Sequence, residues 1–342
     1  MLRLDFAHAA ALSIVLAFAT SAEARPVPPG PNLSTHPVRR GVAIESDSGF
    51  EGPKLEDLHA RLNAHAARAP QLARTVVVGQ TIQGRPLLLL RIAKEAGIRG
   101  GRARRPSPLR LRSELSRPAV LFSGATHGNE YLGVEDKLVD WIMTQAESPS
   151  ENSVTAFLDR GGIVYALPVF NADGYVADER GNARGVDLNR DFSIRAGGHV
   201  GFRQPESQQL AEFLAKDFAD ANAKLVFSLD YHCCQGSLLH PWSFRGPRLD
   251  PVARAAHEKV GLLLQSIFGR SYIFGTAPDL LGYSALGTTK DYYFETYDSL
   301  AFTFEGVYKK ENERFDYHRQ FWDRVFTDAA QGGGIFRALN AR

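Results

Sequence analysis

Apolar and polar positions follow two rhythms along this chain, one with the period of a helix and one with that of a strand. Leu55, Leu58 and Leu62 recur at helical spacing and predict an amphipathic helix over 55–68. Thr75–Gly79 and Pro86–Ile92 read as short strands around a turn containing Gly84, a hairpin. Strands are then predicted at Ala119–Ser123, Ile163–Leu167, Lys224–Leu229 and Ala301–Glu305, and a further one through Tyr292 and Tyr293. Helices are predicted at Glu130–Ala146, Glu206–Phe218, Val252–Phe268 and Phe315–Ala329; the first has Leu132, Val134, Leu138, Trp141 and Ile142 as its apolar set. Nearly continuous apolar strands alternating with helices imply an α/β fold whose sheet is covered on both faces. The hairpin adds antiparallel pairing, so the expected sheet is twisted and mixed but mostly parallel. No internal repeat is visible.

The flanks have a different character. Residues 1–24 carry Arg3, an apolar run from Ala9 to Ala19 and the small-x-small site Ala22-Glu23-Ala24, the pattern of a cleavable signal peptide. The expectation is an exported protein, periplasmic or extracellular. Residues 25–50, rich in Pro, Gly and Ser, read as a linker or arm, 51–332 as one folded domain, and 333–342 as a tail. Within the domain, residues 95–117 hold seven arginines and read as a solvated basic surface loop. No other segment approaches membrane-spanning length, and a formal charge of +2 implies no nucleic-acid partner. The expected state is a monomer without a membrane partner. The two cysteines are adjacent, Cys233-Cys234; a bond between neighbours forces a strained ring, so two thiols are expected.

Chemistry is concentrated at strand ends. Thr126-His127-Gly128-Asn129-Glu130 follows the apolar run Ala119–Phe122, and His232 follows Phe227–Tyr231. Imidazole and carboxylate are zinc ligands, and a catalytic zinc takes three protein ligands plus an open position. HxxE alone is a weak signal. Three further segments sharpen it: Asn171-Ala172-Asp173-Gly174-Tyr175, the run from Arg180 to Phe192, and Ala301–Gly306. Asn189-Arg190 places an amide beside a guanidinium fork, a clamp for a carboxylate. Glu305 closes an apolar strand, where a carboxylate is costly unless solvated, paired or functional. His59, His65, His257 and His318 fall on predicted helices away from every motif and read as surface residues.

In this order and spacing the motifs resemble the zinc metallocarboxypeptidases of the carboxypeptidase A/B type, from about Gly79 to Glu305. The resemblance implies one Zn2+ per chain, held by His127, Glu130 and His232. It implies Glu305 as general base, Arg180 as the residue polarising the scissile carbonyl, and Asn189 and Arg190 as the pair holding the substrate's terminal carboxylate. Tyr283 matches the mobile tyrosine that closes over substrate, and Asp187 the carboxylate orienting His127. Arg184 is an alternative to Arg180, and Tyr292 and Tyr293 are alternatives to Tyr283. The implied partner is a peptide with a free C-terminal carboxylate. An unusual cis peptide is implied between Cys233 and Cys234.

Lys290 falls where the family builds the pocket for the C-terminal side chain, apolar in A-type and acidic in B-type enzymes. A lysine there implies a preference for acidic C-terminal residues; otherwise it points to solvent or pairs with Asp291 or Glu295. Two other readings stay open. A deacylase of the aspartoacylase type shares HGxE, a later His and the D-L-N-R segment, but Tyr283 and the long stretch from His232 to Glu305 suit a peptidase better. An inactive peptide- or cell-wall-binding module is expected to lack a ligand or the base, and here every position is filled.

Overall fold

The computed structural model describes residues 52–94, 116–307, 314–334 and 336, all within one compact unit, Gly49–Arg342. The expected signal peptide and arm, nearly all of the basic loop and most of the tail lie outside the described residues. Eight strands are described: β1 Ala73–Gln80, β2 Pro86–Ala93, β3 Arg117–Ser123, β4 Ile163–Leu167, β5 Ala223–Cys233, β6 Ser237–Leu239, β7 Ile273–Gly275 and β8 Leu300–Gly306. They form one mixed sheet in the order β1-β2-β4-β3-β5-β8-β6-β7. The central strands β4, β3, β5 and β8 run parallel. The β1–β2 hairpin is antiparallel, as are β2 to β4 and β6 to β8.

Nine helices are described: α1 Leu55–Arg68, α2 Glu135–Ala146, α3 Ser153–Asp159, α4 Ala172–Ala177, α5 Pro205–Asp220, α6 Pro251–Phe268, α7 Ala277–Leu280, α8 Thr289–Tyr297 and α9 Phe315–Gln331. Most apolar strand residues divide between two cores, one on each face of the sheet. Val120 and Phe122 of β3 pack with α2, α6 and α9, whereas Ala119 and Leu121 pack with α5 and Tyr293 of α8. Because successive side chains leave opposite faces of a strand, continuous apolar runs are what a sheet buried on both sides requires. Among the described residues no helix is long and apolar enough to cross a membrane.

Several expectations need correction. The helix predicted from Glu130 begins at Glu135. Gly133 takes a left-handed φ of 70° and breaks the turn, and Glu135 accepts from the amides of Leu132 and Val134 at 3.3 and 3.0 Å. Leu132 and Val134 are buried all the same, so their apolar character reported burial and not helix. Tyr292 and Tyr293 belong to α8, not to a strand, and are buried. Aromatic residues favour strands locally, and here tertiary packing overrides the preference.

His65, His257 and His318 are buried, not surface residues. His65 Nε2 lies 2.6 Å from Asp140 Oδ1, and His257 and His318 pack on aromatic rings. The two cysteines form a disulfide, not a pair of thiols, across the cis peptide that the resemblance implied.

Candidate metal centre

The central parallel strands deliver the candidate residues to their carboxyl ends, where open α/β sheets place their ligands. The chain leaves β3 through Ala125, whose φ of 45° turns the next residues back over the strand ends. This loop carries His127 and Glu130. Gly128 is required there because a Cβ would collide with the backbone of Gly174, so the HxxE loop seats directly on the Asn171–Tyr175 segment. His232 sits near the end of β5, and Glu305 near the end of β8.

His127 Nδ1 lies 2.8 Å from Glu130 Oε2, His232 Nδ1 lies 3.0 Å from the same oxygen, and the two Nδ1 atoms are 3.0 Å apart. The ligand atoms of His127, Glu130 and His232 all fall within 4.8 Å of one another, and all three residues are buried. Two nitrogen donors that close, both facing one carboxylate oxygen, are a donor set that one cation satisfies. Burial alone raises the Glu130 carboxyl, but hydrogen bonds from the two imidazoles outweigh it and hold the group well below the usual carboxylate range. The triad therefore fits a zinc ion: anionic oxygen, two imidazoles and an open side.

The far nitrogens of both imidazoles also meet carboxylates. His127 Nε2 is 3.0 Å from Asp187 Oδ1, and His232 Nε2 is 2.8 Å from Asp230 Oδ2. Asp187 was expected in this place; Asp230 was not. A signal for it existed, because a carboxylate two residues before His232 in an apolar strand must share that residue's face.

The remaining candidates gather around the triad. Arg180 Nη1 donates to Glu130 Oε1 at 2.9 Å, and its Nη2 to Asp187 Oδ2 at 2.9 Å. Arg184 is exposed and takes no part in this cluster. Arg190 Nη1 donates to the Asn189 carbonyl at 2.7 Å, and Asn189 Oδ1 accepts from the Thr289 amide at 3.0 Å. Glu305 is half-buried; burial raises its carboxyl above the ordinary value, against an opposing pull from His232. Tyr283, 47% exposed, stands at the mouth on the loop after α7. One cavity of about 170 Å³ is lined by His127, Glu130, Arg180, Asn189, Arg190, Tyr283, Lys290 and Glu305.

The zinc carboxypeptidase family profile matches residues 58–327. The chain belongs to the zinc carboxypeptidase family. It is 26% identical over 310 residues to mouse carboxypeptidase A6, covering 80% of this chain and 64% of that protein. It is 24% identical over 286 residues to bovine carboxypeptidase B, covering 73% and 61%. The aligned region thus spans less than two thirds of these relatives' own length. Among solved structures, bovine thrombin-activatable fibrinolysis inhibitor in complex with tick carboxypeptidase inhibitor superposes with a TM-score of 0.61 at 16% identity, over 85% of this chain and 98% of that one. Carboxypeptidase A from Helicoverpa armigera gives 0.58 at 22% identity, over 84% and 74%. At these identities the superpositions establish the fold.

Proposed function

We propose that the protein is an exported, zinc-dependent metallocarboxypeptidase that removes single residues from peptides bearing a free C-terminal carboxylate. The observation that carries this reading is the convergence on one cavity of His127 and Glu130, which cluster with the buried His232, with Glu305, Arg180 and the Asn189-Arg190 pair. Bound at the triad, zinc supplies Lewis-acid stabilisation and acidifies water. Asp187 fixes the His127 ring.

Glu305 takes the proton of the attacking water and returns it to the leaving amine. A carboxyl raised by burial suits both transfers. Arg180, reaching the triad through Glu130, offers its guanidinium to the oxyanion that develops at the scissile carbonyl. Asn189 and Arg190 hold the terminal carboxylate, which restricts cleavage to the last peptide bond. Tyr283 closes over the substrate, and its place on the cavity favours a peptidase over a small-molecule deacylase.

Lys290 sets the preference for the last side chain. It lines the cavity and is only 2% exposed, so it does not point to solvent. Its Nζ meets Ser243 Oγ and pairs with Asp291 Oδ1 at 3.6 Å, as one of the alternatives expected, while the Glu295 carboxylate instead accepts from the amides of Arg195 and Ala196. Burial lowers the Lys290 pKa, and an incoming carboxylate restores the preference for the charged ammonium. Acidic C-terminal residues, including those of acidic cell-wall peptides, are the favoured substrates.

The test is kcat/KM for matched blocked dipeptides ending in Glu, Phe and Arg, with and without chelator, on wild type and Lys290→Ala. A chelator-sensitive Glu preference that collapses in the variant and weakens at high salt supports the reading. Preference for Phe or Arg, or an unchanged ranking in the variant, rejects the acidic preference, and turnover that chelation leaves intact rejects the zinc peptidase itself. Export rests on residues 1–24, and the expected first residue of the mature chain is Arg25.

A further inference from the structure

Asp230 lies on β5 two residues before His232, and both side chains leave the strand on the same face. It is 2% exposed and does not line the cavity. An enclosed carboxylate is costly unless donors converge on it. Four side chains do so. Ser123 Oγ donates to Oδ1 at 2.7 Å and Thr126 Oγ1 to Oδ1 at 2.8 Å, Thr289 Oγ1 donates to Oδ2 at 2.8 Å, and His232 Nε2 stands 2.8 Å from Oδ2. These groups come from β3, from the loop carrying His127, from the first turn of α8 and from β5 itself. One carboxylate thus ties together the segments that deliver the metal ligands and the helix that carries Lys290.

The consequence falls on His232. With Nε2–H donated to Asp230, the imidazole presents its Nδ1 lone pair toward Glu130 and His127. The opposite tautomer turns a proton into the metal site. We propose that Asp230 is a positioning residue: it fixes the tautomer and ring plane of His232 for the metal. Its hydroxyl partners hold the carboxylate still, and Thr289 also anchors Asn189 through its amide. This inference rests on the metal site and not on the choice of substrate.

The experiment measures zinc affinity of metal-freed protein by competition with a chelator, beside the thermal melt. Removing a carboxylate that orients a metal-bound histidine costs ~10–100-fold in affinity. Asp230→Ala is expected to lose that much, whereas Thr289→Val, which removes one hydroxyl and leaves the His232 contact, loses far less. Wild-type affinity in a folded Asp230→Ala protein overturns the proposal. So does an equal loss in Thr289→Val, which marks a general loosening. Should Asp230→Ala not fold, selectively 15N-histidine-labelled wild type decides. Zinc-loaded protein is expected to show an exchange-protected Nε2–H resonance for His232, and its absence overturns the proposal. A wild type that binds no zinc overturns the metal site itself; the pattern among variants concerns Asp230 alone.

Discussion

His232 and Glu305 are paired positions in the parallel ladder between β5 and β8. A candidate metal ligand and the proposed base are thus held at one register by backbone hydrogen bonds and not by a loop. Their separation changes only if the ladder slips, and a slip by one residue turns every neighbouring side chain to the wrong face. A site built on rigid elements keeps its geometry before substrate arrives.

Metal removal tests the triad first. Chelation is expected to abolish peptidase activity, and one equivalent of zinc to restore it. Because zinc binds the folded chain, it is also expected to raise the melting temperature as its free concentration exceeds the dissociation constant. Full activity in metal-free protein, checked by elemental analysis, contradicts the zinc assignment. His127→Ala and His232→Ala are each expected to lose the metal.

Glu305→Gln keeps the shape of the side chain and removes its basicity. Turnover is expected to fall by at least ~100-fold, the scale of general acid–base catalysis, with zinc still bound. A turnover number equal to wild type assigns the proton transfer to another group.

Arg190→Ala removes one arm of the proposed carboxylate clamp. For free-carboxylate peptides the expected loss is ~2–5 kcal/mol, the cost of breaking a partly desolvated charge pair, and it should appear mainly in KM. The comparison substrate is the C-terminally amidated peptide. If wild type cleaves it as well as the free acid, Asn189 and Arg190 do not select chain ends.

Stability at acid pH tests His257. The ring is fully buried on Phe294 and Phe302, its Nδ1–H donates to the Ala253 carbonyl at 2.8 Å, and burial pushes its pKa down from 6.5 to about 3. The folded value lies below the unfolded one, so the folded state favours neutral imidazole. Its contribution is complete above pH 6.5 and is lost as pH falls toward 3. Each pH unit in that window costs up to ~1.4 kcal/mol. Denaturant midpoints are measured from pH 7 to 4.5, and wild type is expected to lose stability relative to His257→Leu as pH falls. Parallel curves exclude His257 as a source of acid sensitivity.

Much of this was legible in one dimension. The strand at Ile163–Leu167 and the helix at 55–68 lie where periodicity predicts them, because burial on two faces and burial on one helical stripe write different local patterns. The spacing of His127 and Glu130, the strand-end positions of His232 and Glu305, and the Asn189-Arg190 pair were likewise readable, since each is a property of a short segment. Short elements were not. Neither β6 and β7, three residues each, nor α8 has enough length to display a period.

The sequence by itself determined that strands and helices alternate, that both sheet faces are apolar, and which side chains have the chemistry to hold a metal. Only the tertiary structure decided the strand order, the matched register of His232 and Glu305, the enclosure of Lys290, and the meeting of Ser123, Thr126 and Thr289 at Asp230. The reason is physical. A local pattern records whether a position is buried, whereas the identity of its neighbours depends on ladders and packing between segments far apart in the chain. A buried carboxylate such as Asp230 can be afforded only where those distant donors arrive together.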